Sequence, residues 1–361
     1  MSIEIGGWPV VTLESPSPSD PDRPTFLSAQ VVPGRAMLTL QIKARLPSRG
    51  ETDLITAPSA ADARDFLETP EEYPGNRSYM IGGAFLLPYA NRIRGKLSPD
   101  RRTIEAPILG KTVRLPANSG GKRPGAEQYA MHGLLLSSRV DEMRRETTEE
   151  QDALHATLRA GDFGGRWLSR AEIEFENVLR GDSFAATIKV RNVGGEPLPM
   201  GIGWHPYFNL PSGRREQARL RIPARSRLPV NDYDEVLPTG EIVPVEGTVY
   251  DFSMLGGQAL GDLYLDDCFV ELEEGVAAEI VDPEASYGLR IAGTSPAIKA
   301  IQVYAPPDQA FVALEPQLNR ADPFGAQWGP DAGTERGTGM AILAPGESAI
   351  YSVRLELFTP V

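Results

Sequence analysis

Hydrophobic and polar positions alternate along much of the chain, and this period of two residues is typical of a β-strand with one buried face. In residues 184–191 the even positions are Phe, Ala, Ile and Val, and the odd positions are Ala, Thr, Lys and Arg. Residues 171–175 alternate in the same way, so the segment Arg-Gly-Asp at 180–182 predicts a hairpin turn. The segment Asn-Val-Gly-Gly at 192–195 predicts the end of the second strand.

Short strand-like runs recur along the rest of the chain, at residues 36–42, 218–222, 277–280, 298–304, 310–314 and 348–358. Turn-forming residues separate them, and the chain contains 36 glycines and 32 prolines in all. Many short strands with frequent turns predict an all-β fold, a large antiparallel β-sandwich, rather than a parallel α/β sheet.

A few segments interrupt this pattern. Residues 16–24 are rich in Pro, Ser and Asp and predict a loop, and the glycine-rich residues 161–165 predict a turn. Residues 141–152 carry charge on every side and predict a solvated loop or a short helix. Residues 94–131 form a long stretch that we interpret as rich in loops.

Length and charge narrow the function classes. The chain has 361 residues, which could form two ordinary domains, although large all-β folds often reach this length as one. It shows no repeat and no linker long enough to force a boundary, so we expect a single domain spanning residues 1–361. Its net charge of -13 argues against nucleic acid and anionic membrane surfaces as partners, because both require basic patches. A small-molecule partner fits better, and the sequence leaves the oligomeric state open.

Cysteine use and hydropathy predict a cytoplasmic protein. Cys268 is the only cysteine, so a disulfide framework and a cysteine metal cluster are excluded, and we expect it to be a buried packing residue. The first residues lack the basic and apolar segments of a signal peptide. No apolar run approaches the ~20 residues that a membrane-spanning helix needs.

His205 is the first candidate for proton transfer, because imidazole titrates near neutral pH. It lies between Trp204 and Pro206-Tyr207, in an otherwise apolar run. A flat aromatic body with a polar tip is a surface on which a sugar ring can stack, so we expect Trp204 and Tyr207 to form a platform beside His205. The alternative is a core histidine whose ring bonds a backbone carbonyl.

Glu315 is the second candidate, because it follows the apolar run 311–314. Burial would raise the pKa of its carboxyl group toward the value that a general base needs. The alternative is a glutamate at a strand end that faces water.

Several other polar residues lie in apolar surroundings. Arg92, after Asn91, predicts a defined partner, either a ligand group or a structural carboxylate. We expect one of the adjacent Asp266 and Asp267 to face a pocket and the other to face water. Gln302, between two apolar residues, could bond a ligand hydroxyl or another strand.

Other site classes lack their motifs. The histidines at 132, 155 and 205 lack metal-ligand spacing, so we expect no metal. The chain has no phosphate-binding Walker loop, no nucleophile elbow and no dinucleotide fingerprint, so we expect no cofactor.

Taken in order, these segments resemble the aldose 1-epimerases (galactose mutarotases). The most specific motifs are His-Pro-Tyr-Phe-Asn-Leu at 205–210 and Leu-Glu-Pro-Gln at 314–317. Weaker matches are Pro-Tyr-Ala-Asn-Arg-Ile at 88–93, His-Gly at 132–133, Leu-Pro-Thr-Gly-Glu at 237–241, Asp-Phe at 251–252, Asp266 with Phe269, Gln-Val-Tyr at 302–304 and Leu-Ala-Pro-Gly-Glu at 343–347. Residues 1–75 match only weakly.

The resemblance implies a galactose mutarotase-like sandwich that opens and closes the ring of a free aldose such as galactose or glucose. It implies that Glu315 is the general base and His205 the general acid, and that His132 assists near the ring oxygen. Asn91, Arg92, Asp266 and Gln302 would bind the sugar hydroxyls, without metal or cofactor.

The sequence departs from the family pattern after His132, where Gly133 is followed by Leu134 instead of a second glycine. This difference affects the expected substrate more than the expected fold. Two alternatives are a non-catalytic carbohydrate-binding protein on the same fold, and an epimerase of a phosphorylated hexose that would use Arg92, Arg94 and Lys96. A glycoside hydrolase fits less well, because a clear pair of carboxyl groups is lacking.

Overall fold

Two large antiparallel sheets dominate the computed structural model, which describes residues 3–16 and 22–360. The first sheet has nine strands, in the spatial order Glu142–Thr147, Asp152–Gly161, Ala171–Leu179, Ser183–Asn192, Ser348–Phe358, Tyr287–Gly293, Ala278–Asp282, Arg219–Arg221 and Gln258–Ala259.

The second sheet has eleven strands. Ten follow one another in the order Val243–Pro244, Ala224–Leu228, Leu265–Leu272, Ala300–Ala305, Phe311–Gln317, Gly203–Asn209, Gly83–Leu86, Leu38–Leu46, Thr25–Val32 and Val11–Glu14. The remaining strand, Gly50–Asp53, pairs with Leu38–Leu46 beside this path.

Smaller elements surround the two sheets. Two small sheets have two strands each: Glu4–Ile5 with Trp8–Pro9, and Leu198–Met200 with Ala341–Leu343. Two others have three strands each: Lys96–Leu97, Thr103–Ile108 and Lys111–Pro116 in one, and Arg92–Ile93, Gln128–Met131 and Ser119–Gly120 in the other. The α-helices are Ala60–Glu68 and Glu335–Thr338, and the 3-10 helices are Pro33–Arg35, Asn76–Met80, Arg215–Gln217, Pro283–Ala285 and Ala326–Asp331. Across the described part of the chain, no helix combines the length and the apolar character needed to cross a membrane.

The inner faces of the two large sheets share a hydrophobic core. Phe85 of the eleven-stranded sheet lies 6.1 Å from Phe175 of the nine-stranded sheet, and Trp204 lies 6.3 Å from Phe184, measured between ring centroids. One continuous cluster of buried residues contains all four side chains. The sequence prediction of an all-β antiparallel sandwich is therefore confirmed.

Alternation predicts the buried faces of the strands well. The even positions from Phe184 to Val190 are buried, and the odd positions are more exposed. The turn predicted at 180–182 connects two strands in antiparallel register. Residues 36–42 are only partly strand, because Ala36 and Met37 have positive φ angles and the strand begins at Leu38.

The prediction of a loop or helix at 141–152 is wrong. Residues Glu142–Thr147 form a strand that pairs with Asp152–Gly161. This strand lies at the edge of the sheet and exposes side chains on both faces, and charges on an edge strand oppose edge-to-edge association. Arg145 also pairs with the buried carboxylate of Asp152, and Arg145 Nε lies 2.9 Å from Asp152 Oδ1.

Residues 94–131, which we interpreted as loop-rich, contain a three-stranded sheet and a short hairpin, so that interpretation is wrong. The turn predicted at 161–165 is present. The loop predicted at 16–24 falls mainly on residues 17–21, outside the described residues.

Candidate active site

The candidate site lies on the outer face of the eleven-stranded sheet. Successive side chains on the strand Gly203–Asn209 point to opposite faces, so Trp204 faces the core while His205 and Tyr207 face outward. Trp204 is fully buried, and its indole nitrogen donates to the carbonyl of Gly83 at 3.1 Å. The predicted aromatic platform is therefore wrong for Trp204, while Tyr207 does lie beside His205, with ring centroids 4.8 Å apart.

His205 and Glu315 face each other on neighbouring antiparallel strands. The register pairs Gly203 with Gln317 and Tyr207 with Ala313, which places His205 opposite Glu315. His205 Nε2 lies 3.2 Å from Glu315 Oε1, and the two residues are only 4% and 1% exposed. The other polar atoms of the pair, His205 Nδ1 and Glu315 Oε2, have no protein partner among the described residues.

Burial sets the electrostatics of this pair. It raises the pKa of the Glu315 carboxyl group well above its ordinary value, and the nearby Asp266 carboxylate adds to that increase. Burial also lowers the pKa of His205 to about 4. Removal from water thus favours the two neutral forms, whereas their mutual attraction favours the charged forms. Both arrangements, two neutral groups or two charged groups, hold one transferable proton within the pair.

His132 lies against the same pair. Its ring centroid lies 5.0 Å from that of His205, with the rings nearly perpendicular, and 4.9 Å from that of Tyr79, which in turn lies 6.4 Å from His205. Burial and the neighbouring His205 hold the pKa of His132 well below its usual value. His132 is 2% exposed, and neither of its ring nitrogens bonds a described protein group.

The four predicted hydroxyl-binding residues form a closed ring of contacts. Asn91 Nδ2 donates to Gln302 Oε1 at 2.9 Å, and Gln302 Nε2 donates to Asp266 Oδ1 at 2.6 Å. Arg92 completes the ring by donating to Asn91 Oδ1 at 2.8 Å and to Asp266 Oδ2 at 3.3 Å. Gln302 is also the cross-strand partner of Glu315, so the ring adjoins the acid–base pair. All seven predicted site residues therefore lie together.

The family model described as aldose 1-epimerase matches residues 55–356, which is most of the chain. The chain belongs to the aldose 1-epimerase family. The unmatched residues 1–54 agree with the weak resemblance of the N-terminal part.

Solved structures share the aldose 1-epimerase fold at low identity. A galactose mutarotase-like protein from Clostridium acetobutylicum is 17% identical, with a TM-score of 0.72 and coverage of 92% of this chain and 93% of that one. A GalM/aldose epimerase homologue from C. elegans has a TM-score of 0.70 at 15% identity, covering 98% and 99%. Galactose 1-epimerase from Lactobacillus acidophilus has a TM-score of 0.65 at 18% identity, covering 95% and 93%.

One curated relative matches over a short segment. The uncharacterized protein YphB of Escherichia coli is 49% identical over 41 residues, which cover 11% of this chain and 14% of that protein. A match of this length to a protein of that description indicates neither a family nor a substrate.

Sequence reasoning missed several groups at this candidate site. The hydroxyl of Tyr129 lies 3.3 Å from Arg92 Nε, and Tyr304 lies on the same face as Gln302, two residues along the strand. Alternation could have indicated Tyr304, whereas Tyr79 lies on a 3-10 helix outside the quoted motifs and gave no signal.

The environment of Asp267 differs from the sequence prediction. Asp266 does face the site, but Asp267 is fully buried instead of facing water. Its Oδ1 accepts from Arg227 Nη1 at 2.9 Å and its Oδ2 accepts from the Tyr233 hydroxyl at 2.9 Å, which compensates for its removal from water. Cys268 is buried, as predicted. The described residues contain no cluster of His, Cys, Asp or Glu placed to hold a metal ion.

Proposed function

We propose that this member of the aldose 1-epimerase family interconverts the α and β anomers of a free aldose, with Glu315 as general base and His205 as general acid. The 3.2 Å approach of the two buried groups carries the proposal. A hemiacetal has its hydroxyl oxygen and its ring oxygen on one carbon, so two proton-transfer groups this close can serve both oxygens.

Ring opening uses the single proton of the pair. Glu315, as carboxylate, removes the proton from the C1 hydroxyl, and the O–H electrons form the aldehyde C=O bond. The C1–O5 bond breaks, and its electron pair takes a proton from the His205 imidazolium. His205 is then neutral and Glu315 is protonated, so the pair again holds one proton.

Ring closure reverses the same transfers on the other face of the aldehyde. Rotation about C1–C2 turns the carbonyl, and the C5 hydroxyl attacks it while His205 removes the hydroxyl proton. Glu315 returns its proton to O1, which gives the other anomer. His132, with two unpaired nitrogens beside His205, would bond the ring oxygen or a neighbouring hydroxyl.

The ring of Asn91, Arg92, Asp266 and Gln302 would bind the remaining hydroxyls. Each member is already held by its neighbours, so little side-chain freedom remains to be lost when the sugar binds. The Arg92 charge also keeps the ring attractive to hydroxyl oxygens next to the Asp266 carboxylate.

Polarimetry of freshly dissolved α-D-galactose and α-D-glucose tests the proposal. We expect the protein to accelerate mutarotation of at least one sugar, and E315Q and H205N each to lose about 100-fold or more of that acceleration. Circular dichroism would check that both variants remain folded. Full activity in either folded variant would contradict its assigned role.

The two alternative functions make different predictions. A pure binding protein would bind sugar without accelerating anomer exchange. A hexose-phosphate epimerase needs available cations, but Arg92 pairs with Asp266, and Arg94 donates twice to Glu127 at 2.8 and 2.7 Å. Carboxylates engage both arginines and leave Lys96 as the remaining cation of this alternative, which favours the unphosphorylated sugar.

A further inference from the structure

A row of aromatic side chains extends from the acid–base pair toward the edge of the eleven-stranded sheet. It begins at Tyr207, beside His205, and successive ring centroids lie 5.1, 6.0, 6.3 and 4.9 Å apart. We call this set the aromatic row; its members are Tyr207, Phe311, Tyr304, Tyr264 and Tyr233.

Every member of the row is accessible to solvent. Tyr207, Phe311, Tyr304 and Tyr264 are partly buried, and Tyr233 at the outer end is 40% exposed. Single exposed aromatics need no explanation, but a continuous row leading away from a site indicates a binding surface. Four of the five members are tyrosines, which combine a flat apolar body with a polar tip and therefore suit a polyhydroxylated ring.

The outer end of the row is held in place. The Tyr233 hydroxyl donates to the buried Asp267, and Arg227 pairs with the same carboxylate. Arg123, from the hairpin that precedes His132, pairs with Asp232 and Asp234 on either side of Tyr233. A surface fixed by these ion pairs loses little freedom when a ligand covers it.

The row also adjoins the proposed hydroxyl-binding ring. Asp266 is the cross-strand partner of Tyr304, and Tyr264 lies two residues before Asp266. A sugar whose C1 lies at Glu315 and whose hydroxyls contact Asp266 would therefore have its far side toward Tyr264 and Tyr233. The arginines around the row, Arg92, Arg227 and Arg123, are each paired with a carboxylate, which favours a neutral ligand over an anionic one.

We propose that the aromatic row is an extended subsite for neutral oligosaccharides, so that the preferred substrate is the reducing-end sugar of a short glycan. The further sugar units would lie on Tyr264 and Tyr233 while the terminal hemiacetal occupies the acid–base pair. This inference rests on the proposed function, and the ring-opening steps are unchanged. It assigns the substrate class and makes Tyr233 a specificity-determining residue.

Anomer exchange measured by NMR saturation transfer tests this inference without isolated anomers. The probes are maltotriose, cellotriose and lactose, compared with glucose and galactose. We expect kcat/KM for at least one oligosaccharide to exceed that for its reducing-end monosaccharide about tenfold. Equal or lower values for all three oligosaccharides, with active monosaccharides, would overturn the inference and leave the proposed function intact. No acceleration with any sugar would overturn both.

Two substitutions at Tyr233 distinguish stacking of its ring on a sugar from the hydrogen bond of its hydroxyl to Asp267. Y233A removes the ring and should abolish the oligosaccharide advantage. Y233F keeps the ring but removes the hydrogen bond to Asp267, and should retain the advantage. If both variants lose it equally, or if the monosaccharide rate falls in parallel, Tyr233 acts only through Asp267 and the subsite is refuted.

Discussion

His132, buried beside the acid–base pair, makes the fold sensitive to pH at the scale of a single residue. Burial lowers its pKa, and neither ring nitrogen has a described protein partner. Between the folded-state and unfolded-state pKa values, the unfolded chain binds more protons than the folded chain. His132 therefore destabilises the fold as pH falls below about 6.5.

We expect H132N to weaken the loss of stability on acidification. Urea unfolding near pH 7 and near pH 5 would measure it, because the wild-type protein should lose up to about 1.4 kcal/mol per pH unit through His132 and the variant should not. The matched control is H155N, since His155 is about a third exposed on the other sheet. An unchanged pH dependence in H132N would argue against burial as the cause of the lowered pKa.

Residue types and alternation predicted which side chains meet at the site, and distant contacts account for what they missed. Glu315, Gln302 and His205 could be recognised as polar residues in apolar strands, but their separation is set by the strand register. Asp267 was misjudged because its partners, Arg227 and Tyr233, lie on other segments. The roles of the seven site residues stay a prediction.

At the scale of elements, the close backbone approach of Gly133 to Leu87 positions His132. Gly133 has a φ of 83°, and a Cβ atom there would lie 2.1 Å from the carbonyl oxygen of Leu87, with which its strand bridge is formed. His132 also has a positive φ, and its amide donates to the Asn91 carbonyl at 2.8 Å. This segment therefore joins His132 directly to the hydroxyl-binding ring.

We expect G133A to cost more than backbone strain alone. The control is G110A, because Gly110 also has a positive φ but has open space where its Cβ would be. G110A should lower the free energy of unfolding by about 1 kcal/mol, and G133A by about 3 kcal/mol or more, because it adds a clash with the backbone. Urea denaturation would measure both. Similar losses of unfolding free energy in the two variants would mean that the backbone at Gly133 and Leu87 shifts easily to accept the added methyl group.

Local patterns failed at one edge strand for a physical reason. A buried strand reveals itself through its apolar face, but Glu142–Thr147 has no buried face and is defined only by its pairing with Asp152–Gly161. Its charges therefore resemble those of a solvated loop. A strand without a buried face can be recognised only once its pairing partner is known.

At the scale of the molecule, the core and the site lie on opposite faces of one sheet. The expected single domain over 1–361 stays a prediction, supported by a continuous cluster of buried side chains between the large sheets. Phe184 belongs to the nine-stranded sheet and contacts Trp204 across this core. Loss of packing in this core should lower the free energy of unfolding more than it lowers the catalytic rate.

We expect F184A to lower the free energy of unfolding by about 3–5 kcal/mol, while I188V, in the same strand, should lower it by about 1 kcal/mol. Both are buried, so the difference follows from the volume removed. Well below the melting temperature, F184A should keep kcat/KM within about twofold of the wild-type value. A larger loss of kcat/KM in the folded variant would show that the core and the site are coupled.

The inward orientation of Trp204 affects how sugar binding can be observed. Each of the four tryptophans, Trp8, Trp167, Trp204 and Trp328, donates its indole N–H to a backbone carbonyl within the protein. Tyrosines form most of the proposed sugar-binding surface instead. Tryptophan fluorescence should therefore report unfolding strongly and sugar binding weakly, and calorimetry or tyrosine emission should be the better probe of ligand occupancy.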